Sequence, residues 1–362
     1  MTSKKRVLYI TYGQFGYVVG SFYYAKYLTQ LGYEVGVLCG DSGKKKIKPP
    51  EDVMVYYQKS DEKSPLLRRI NLISKAFSIR RCYDIFVVRY FILCMVFPFL
   101  LGRKRTYLDF RTGSLEPNKL KNFLVNLFYR AEMIPYKRIF ILSEELAKKF
   151  HVLSSKYIWL PLGADDLSTG RCKNYVQNLN LLYIGTLMFR NLDQAVVGFG
   201  MFYEEYKNLY EKISFHIVGR GSESDIGNLI RTIESRGLKD VVFFHGEKTH
   251  EEMRDLVDYC NCGVAYVPET DYYDHQPSTK IFEYNLSGLI CVATSTSENK
   301  KVITERNGVL CHDNPESFKK ALEAVYERRD SFDYDEIKKS QESYSWYSIV
   351  KNVFCKEFEA NQ

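Results

Sequence analysis

"RVLYITYGQFGYVVGSFYYAKYLTQLGYEVGVLCG", residues 6–40, holds the pattern on which the fold turns. A β-branched, apolar run, "RVLYIT", meets a glycine-bearing turn, "YGQFGYVVGS", then a helical run, "FYYAKYLTQLG", and a second strand-like run, "YEVGVLCG". That order is a βαβ unit, two parallel strands joined by a crossover helix. Gly13, Gly16 and Gly20 stand in the turn and at the helix start. Without a Cβ there, backbone amides can approach an anion at the positive end of the helix dipole. The spacing departs from G-x-G-x-x-G, so the turn gives little support to a nicotinamide or flavin. A tight turn without a ligand explains the same letters.

The alternation continues outward from this unit. Strand-like runs follow at "DIFVVR", "RTYLDFR", "RIFILS" and "KYIWLPLG", with a helical stretch over 120–133. Near Asp165 the polar, glycine-bearing "ADDLSTGRCKNYVQN" interrupts the pattern. It then restarts with "LNLLYIGTL", "ISFHIVGRGSE", "VVFFHG", "CGVAYVPE", "GLICVATS" and "NGVLC". A helix over 280–286 follows a cap at Ser278 or Thr279. A chain of 362 residues exceeds what one core serves, and strand–helix alternation implies parallel sheets covered on both faces. The expectation is an α/β fold of two Rossmann-like, doubly wound domains, over 1–165 and 179–345. A linker over 166–178 joins them, and a final helix over 346–362 is free to pack back on the first domain. Ligands of such sheets bind at the carboxyl ends of the strands, which places a site in the cleft that the two domains face.

Charge is divided unevenly. Residues 1–167 hold 28 Lys+Arg against 14 Asp+Glu, a net of +14, and the remainder is net −7. "KKKIK", "LLRRI", "IRR" and "RKR" supply most of the excess, which favours an anionic surface or substrate. Nucleic acid is not expected, because these clusters lack interleaved aromatics and no zinc-finger or RNP-type motif is present. Residues 85–102, "IFVVRYFILCMVFPFLLG", are nearly long enough to span a bilayer, but Arg89 and Pro98 interrupt them. A buried strand and a core helix are the preferred reading, with an interfacial role as the second. The N-terminal "MTSKKRVLYI" reads as a first strand, not a secretory signal. Nine cysteines without metal-ligand spacing read as buried thiols in a reducing cytoplasm.

Seven motifs in order resemble the GT-B glycosyltransferases, specifically the retaining family four, or glycosyl transferases group one. They are "GQFG", "ILSEELAKKF", "IWLPLGAD", "YIGTLMFRN", "HIVGRGSE", "KIFEYNLSGLICVATS" and "NGVL", and they span nearly the whole chain. The resemblance implies a retaining, metal-independent transferase that moves a sugar from a UDP- or GDP-type donor to a saccharide acceptor. The donor is a substrate, and no cofactor is implied. The cationic first half and residues 85–102 point to a lipid-linked acceptor in surface polysaccharide synthesis. They also point to an anionic membrane partner, hence a cytoplasmic protein peripheral on the inner face of the plasma membrane.

Glu283 matches the second glutamate of that family's pair, which binds ribose hydroxyls, and Lys280 shares its helix face and serves the phosphates. Ser278 and Thr279 open that helix at the donor. Arg190 in "MFRN" is a donor of charge-assisted hydrogen bonds to the diphosphate, one residue from where the family has a lysine. Gly219 and Arg220 in "VGRGSE" line the base pocket, with His245 and Gly246 in the matching place of the next strand. Gly13 and Gly16 belong to the donor-binding set, and Asp109 and Arg111 stand at a strand end as acceptor- or donor-recognition residues or as an ion pair. The family's first glutamate falls at His275; Asp274, one place earlier, is the preferred contact to the sugar and His275 the second. "DYD" at 333–335 resembles a metal motif of another fold but sits in polar surroundings as a helix start. Two rival readings are an epimerase or hydrolase of sugar nucleotides and a non-catalytic membrane-binding or scaffold protein.

Overall fold

The computed structural model describes residues 4–59, 64–114, 116, 118–274 and 278–360. They form two compact units, one of Met1–Leu162 with Trp346–Gln362 and one of Gly163–Ser345.

In the first unit seven parallel strands form one sheet: β1 (Arg6–Thr11), β2 (Glu34–Asp41), β3 (Val53–Lys59), β4 (Ile85–Arg89), β5 (Thr106–Phe110), β6 (Arg138–Ile141) and β7 (Tyr157–Trp159). Their order is β3-β2-β1-β4-β5-β6-β7, so the winding reverses between β1 and β4. Alternate residues of β1 enter different cores: Val7 and Tyr9 one, Leu8 and Ile10 the other. On the first face lie α1 (Val19–Gln30) and the C-terminal helical segment from Trp346, whose Trp346 and Phe354 pack on Tyr24. On the second face lie α2 (Pro65–Ser78), α3 (Phe97–Leu101), α4 (Lys119–Met133) and α5 (Glu144–Lys149).

Residues 85–102 feed both cores, Ile85 and Val87 the first and Phe86, Val88, Phe91, Cys94, Phe97 and Leu101 the second. β4 is buried along Ile85–Val88, Phe91, Cys94, Phe97 and Leu101 are buried, and Phe99, Leu100 and Gly102 are exposed. No helix among the described residues is long and apolar enough to cross a membrane. β3 is not announced by the sequence pattern. It is an edge strand that pairs with β2 alone and alternates only weakly, with Val53 buried and Met54 exposed.

The second unit repeats the winding with six parallel strands: β8 (Asn178–Ile184), β9 (Lys212–Val218), β10 (Val242–Phe244), β11 (Cys262–Ala265), β12 (Ile290–Thr294) and β13 (Gly308–Cys311). Their order is β10-β9-β8-β11-β12-β13, so the reversal falls between β8 and β11. The helices are α6 (Leu192–Tyr206), α7 (Glu223–Ser235), α8 (His250–Tyr259), α9 (Asp271–Asp274), α10 (Thr279–Leu286), α11 (Pro315–Glu327) and α12 (Tyr334–Ser340). Capping boxes start α7 at Ser222 and α8 at Thr249, and Asp333 of "DYD" caps α12 by accepting from the Glu336 N–H. The polar stretch after Asp165 is fastened to this unit: the Leu167 N–H donates to Ser287 Oγ, and the Thr169 N–H to Asp258 Oδ1.

Candidate functional site

Where the second sheet reverses, the carboxyl ends of β8 and β11 part and leave a cavity of about 280 Å³. Open parallel sheets offer ligands this position because adjacent connections leave to opposite faces there. Tyr183–Thr186 form one wall and Val264–Val267 another, while Ser278, Thr279 and Lys280 at the start of α10 close a third side. Ser278 occupies the N-cap position without a side-chain cap, so it leaves the first-turn N–H groups of α10 unoccupied by its hydroxyl. The positive end of that helix and two cationic side chains therefore bear on one cavity.

The first cation is Arg190. Its guanidinium stacks 4.5 Å from the Tyr273 ring centroid, and among the described residues no carboxylate pairs with it. Phe189 and Asn191 on either side have φ of 57° and 49°, a left-handed backbone that non-glycine residues rarely hold without cause. The second is Lys280, whose Nζ is 2.5 Å from Glu283 Oε2. Glu283 stands beside the cavity, not on its wall, and its side chain is 17% exposed. The pair holds Lys280 in place, and Glu283 reaches a ligand only by changing that partner.

Two wall residues leave buried polar atoms unused. Asn299 donates through Nδ2 to the Thr294 carbonyl, but its Oδ1 has no partner among the described residues, and neither has the buried Tyr266 hydroxyl. An unmet buried acceptor or hydroxyl costs about 1–3 kcal/mol. No sequence motif singles out Asn299, Tyr266, Tyr183 or Tyr273, because only the parallel winding brings them together.

The remaining expected residues stand elsewhere. Gly219 lies at the end of β9, where a Cβ would collide with the Gly185 carbonyl oxygen, and its N–H donates to the Gly246 carbonyl. Its absent side chain lets the strand-end loops abut. Arg220 is exposed, 3.9 Å from Glu247, and is not on the cavity wall. The Asp274 carboxylate accepts from the Ser297 N–H at 2.8 Å and from its hydroxyl at 2.6 Å, so it ties α9 to the loop after β12. His275 lies outside the described residues. His245 stacks on His216 at 5.2 Å, with His216 Nδ1 2.9 Å from His245 Nε2 and Ser214 Oγ 3.0 Å from His216 Nε2. Burial, then the neighbouring ring, pushes His216 down to about 4.

In the first unit Gly13 and Gly16 flank Gln14, and the Gly16 φ of 82° needs a glycine. Gln14 is buried and clamps the loop after β2: its Oε1 accepts from the Ser42 and Lys44 N–H groups and its Nε2 donates to the Lys44 carbonyl. Asp109 and Arg111 form the ion pair allowed for them. Asp109 is fully buried, 2.5 Å from Arg111 Nε and 3.5 Å from Arg89, and it accepts from the Tyr9 hydroxyl at 2.8 Å. Arg111 also donates to the Leu160 carbonyl and to the Tyr24 hydroxyl. Burial opposes ionisation of Asp109, but the charges of Arg111 and Arg89 outweigh it and hold the carboxyl below its ordinary value. The carboxylate has no surface to offer a ligand in this arrangement.

Residues 179–328 match the family described as Glycosyl transferases group 1. A comparison with curated proteins finds no significant match. Solved structures align over nearly the whole chain at low identity. A glycosyltransferase from Rickettsia africae is 14% identical with a TM-score of 0.67, over 99% of this chain and 98% of that one. HepE of Anabaena, in complex with UDP, is 13% identical with a TM-score of 0.66, over 98% and 100%. Sucrose-phosphate synthase of Thermosynechococcus elongatus is 14% identical with a TM-score of 0.63, over 99% and 100%.

Proposed function

We propose that the chain is a group 1 glycosyl transferase on a GT-B fold, the family that its residues 179–328 match, and that the cavity between β8 and β11 seats a nucleotide-diphosphate sugar. The observation that carries this reading is the convergence of Arg190, Lys280 and the start of α10 on one cavity. A diphosphate leaving group is the ligand such an array suits. Its charge grows as the bond to the sugar breaks, so fixed cations and N–H dipoles bind it more tightly in the transition state than in the ground state.

Lys280 and Arg190 take the phosphates, with Ser278 and Thr279 at the same wall. Glu283 takes the ribose hydroxyls once donor phosphate displaces it from Lys280. Asp274 or His275 meets the transferred sugar, which leaves with retention. Structures of HepE hold UDP and UDP-glucose, which favours a uridine donor over a guanosine one. The acceptor is a lipid-linked saccharide of a surface polysaccharide, and the protein works peripherally on the cytoplasmic face of the membrane. The cation excess of the first unit supports that part. Thermal unfolding against UDP, GDP and their sugars tests the donor assignment, since a ligand of the native state raises Tm. No shift with any of them refutes it.

A further inference from the structure

α4 is turned inside out. Its uncharged polar residues face the protein: Asn122 donates to the Ser114 and Glu116 carbonyls, Asn126 accepts from the Ser114 N–H, and Tyr129 packs on Tyr90. Leu120, Phe123, Leu124, Leu127 and Phe128 face outward, each between 43% and 70% exposed. Their spacing is i, i+3, i+4, i+7, i+8, the apolar stripe of an amphipathic helix. Here the stripe has no core to enter. A soluble surface rarely carries a contiguous stripe of this kind without a partner.

The same helix layer extends the feature. α2 exposes Leu66, Leu67 and Ile70, and α3 exposes Phe99, on the sheet face that α4 covers. Basic residues accompany the apolar ones: Lys119, Lys121 and Arg130 lie on α4. Its one acid, Glu132, is buried, accepts from the Leu93 N–H and has its carboxyl pushed up by burial. A groove of about 420 Å³ beside α4 is lined by Lys119, Arg130 and Lys149 together with Phe123 and Leu127.

We propose that α4 is the surface by which this protein lies on a bilayer of anionic lipid. The apolar stripe enters the acyl boundary while Lys119, Arg130 and Lys149 meet the headgroup phosphates. Charge selects this occupant over a second copy of the chain. The first unit carries 30 Lys+Arg against 14 Asp+Glu, so pairing two such faces would set like charges together. The inference deepens the membrane part of the function proposed above and moves it from residues 85–102 to α4. It is independent of the donor site, because nucleotide binding can be measured without vesicles.

Flotation of the full chain with phosphatidylcholine vesicles, with and without phosphatidylglycerol, tests it. The wild type is expected to float with the anionic vesicles, stay behind with the neutral ones, and detach as salt rises. F123S/L124S/L127S is expected to bind at least about tenfold more weakly. K119Q/R130Q/K149Q should lose roughly fivefold per charge removed. Both variants should keep the wild-type Tm and its response to nucleotide. Wild-type protein that ignores anionic vesicles, or an F123S/L124S/L127S variant that floats like the wild type, overturns the proposal. So does sedimentation showing a dimer that this variant dissociates, which would assign the face to self-association.

Discussion

The two sheets reverse after their third strand in the same way, β3-β2-β1-β4-β5-β6-β7 in one and β10-β9-β8-β11-β12-β13 in the other, yet their switch points differ in kind. Near β1 and β4 the polar groups have consumed one another: Arg89, Arg111, Tyr9 and Asp109 form a closed cluster. Near β8 and β11 they have not: Arg190 has no carboxylate partner among the described residues, Lys280 shares Glu283 at the border of open space, and Asn299 and Tyr266 keep unmet polar atoms. Topology thus supplies the location of a site. Whether chemistry happens there depends on which cations still face open space.

The largest expected effect falls on the closed cluster. Asp109→Asn leaves Arg111 buried without its counter-charge and should cost about 3–5 kcal/mol in urea unfolding. The wild-type carboxyl sits below its ordinary value, so its contribution is present above about pH 4 and lost as pH falls through the native value. The variant's stability should accordingly flatten on the acid side. A loss under 1 kcal/mol would mean that the cluster is not closed.

At the open switch point, Lys280→Ala should lower turnover by about 10²-fold while Tm without ligand stays near that of the wild type. Turnover within threefold of wild type would break the contrast between the two sheets. Gly219→Ala drives a Cβ at the Gly185 carbonyl and should cost about 1–3 kcal/mol, read as a shift in the urea midpoint. Between pH 6.5 and about 4 the depressed His216 makes stability fall as pH drops, because the unfolded chain takes up the proton first. His216→Phe should remove that slope, separately from the more acidic Asp109 limb. The smallest effect belongs to Arg220→Ala, whose exposed side chain should change stability by less than about 0.5 kcal/mol.

Much of this contrast was legible in the chain before its structure. Buried runs such as "RVLYIT" and "GLICVATS" follow from period and composition, and Lys280, Ser278, Thr279 and Arg190 were all marked from motif order and line one cavity. Other features were not, for physical reasons. β3 is an edge strand and needs little alternation. Asn299 and Tyr266 are ordinary core letters until parallel winding brings strand ends together. The stripe of α4 marks a helix, but periodicity cannot say which face turns inward; the carbonyls of Ser114 and Glu116 claim Asn122, and the Ser114 N–H claims Asn126. Asp274 is held by Ser297, a partner too far along the chain for local pattern to reveal.

The most direct test is isothermal titration of UDP and GDP into the full chain and into its Lys280→Ala variant. The account predicts that one of the two nucleotides binds the wild type and that the variant binds it at least about tenfold more weakly, for loss of a charge-assisted contact. Binding of neither nucleotide, or equal binding by the variant, would contradict the placement of the donor between β8 and β11.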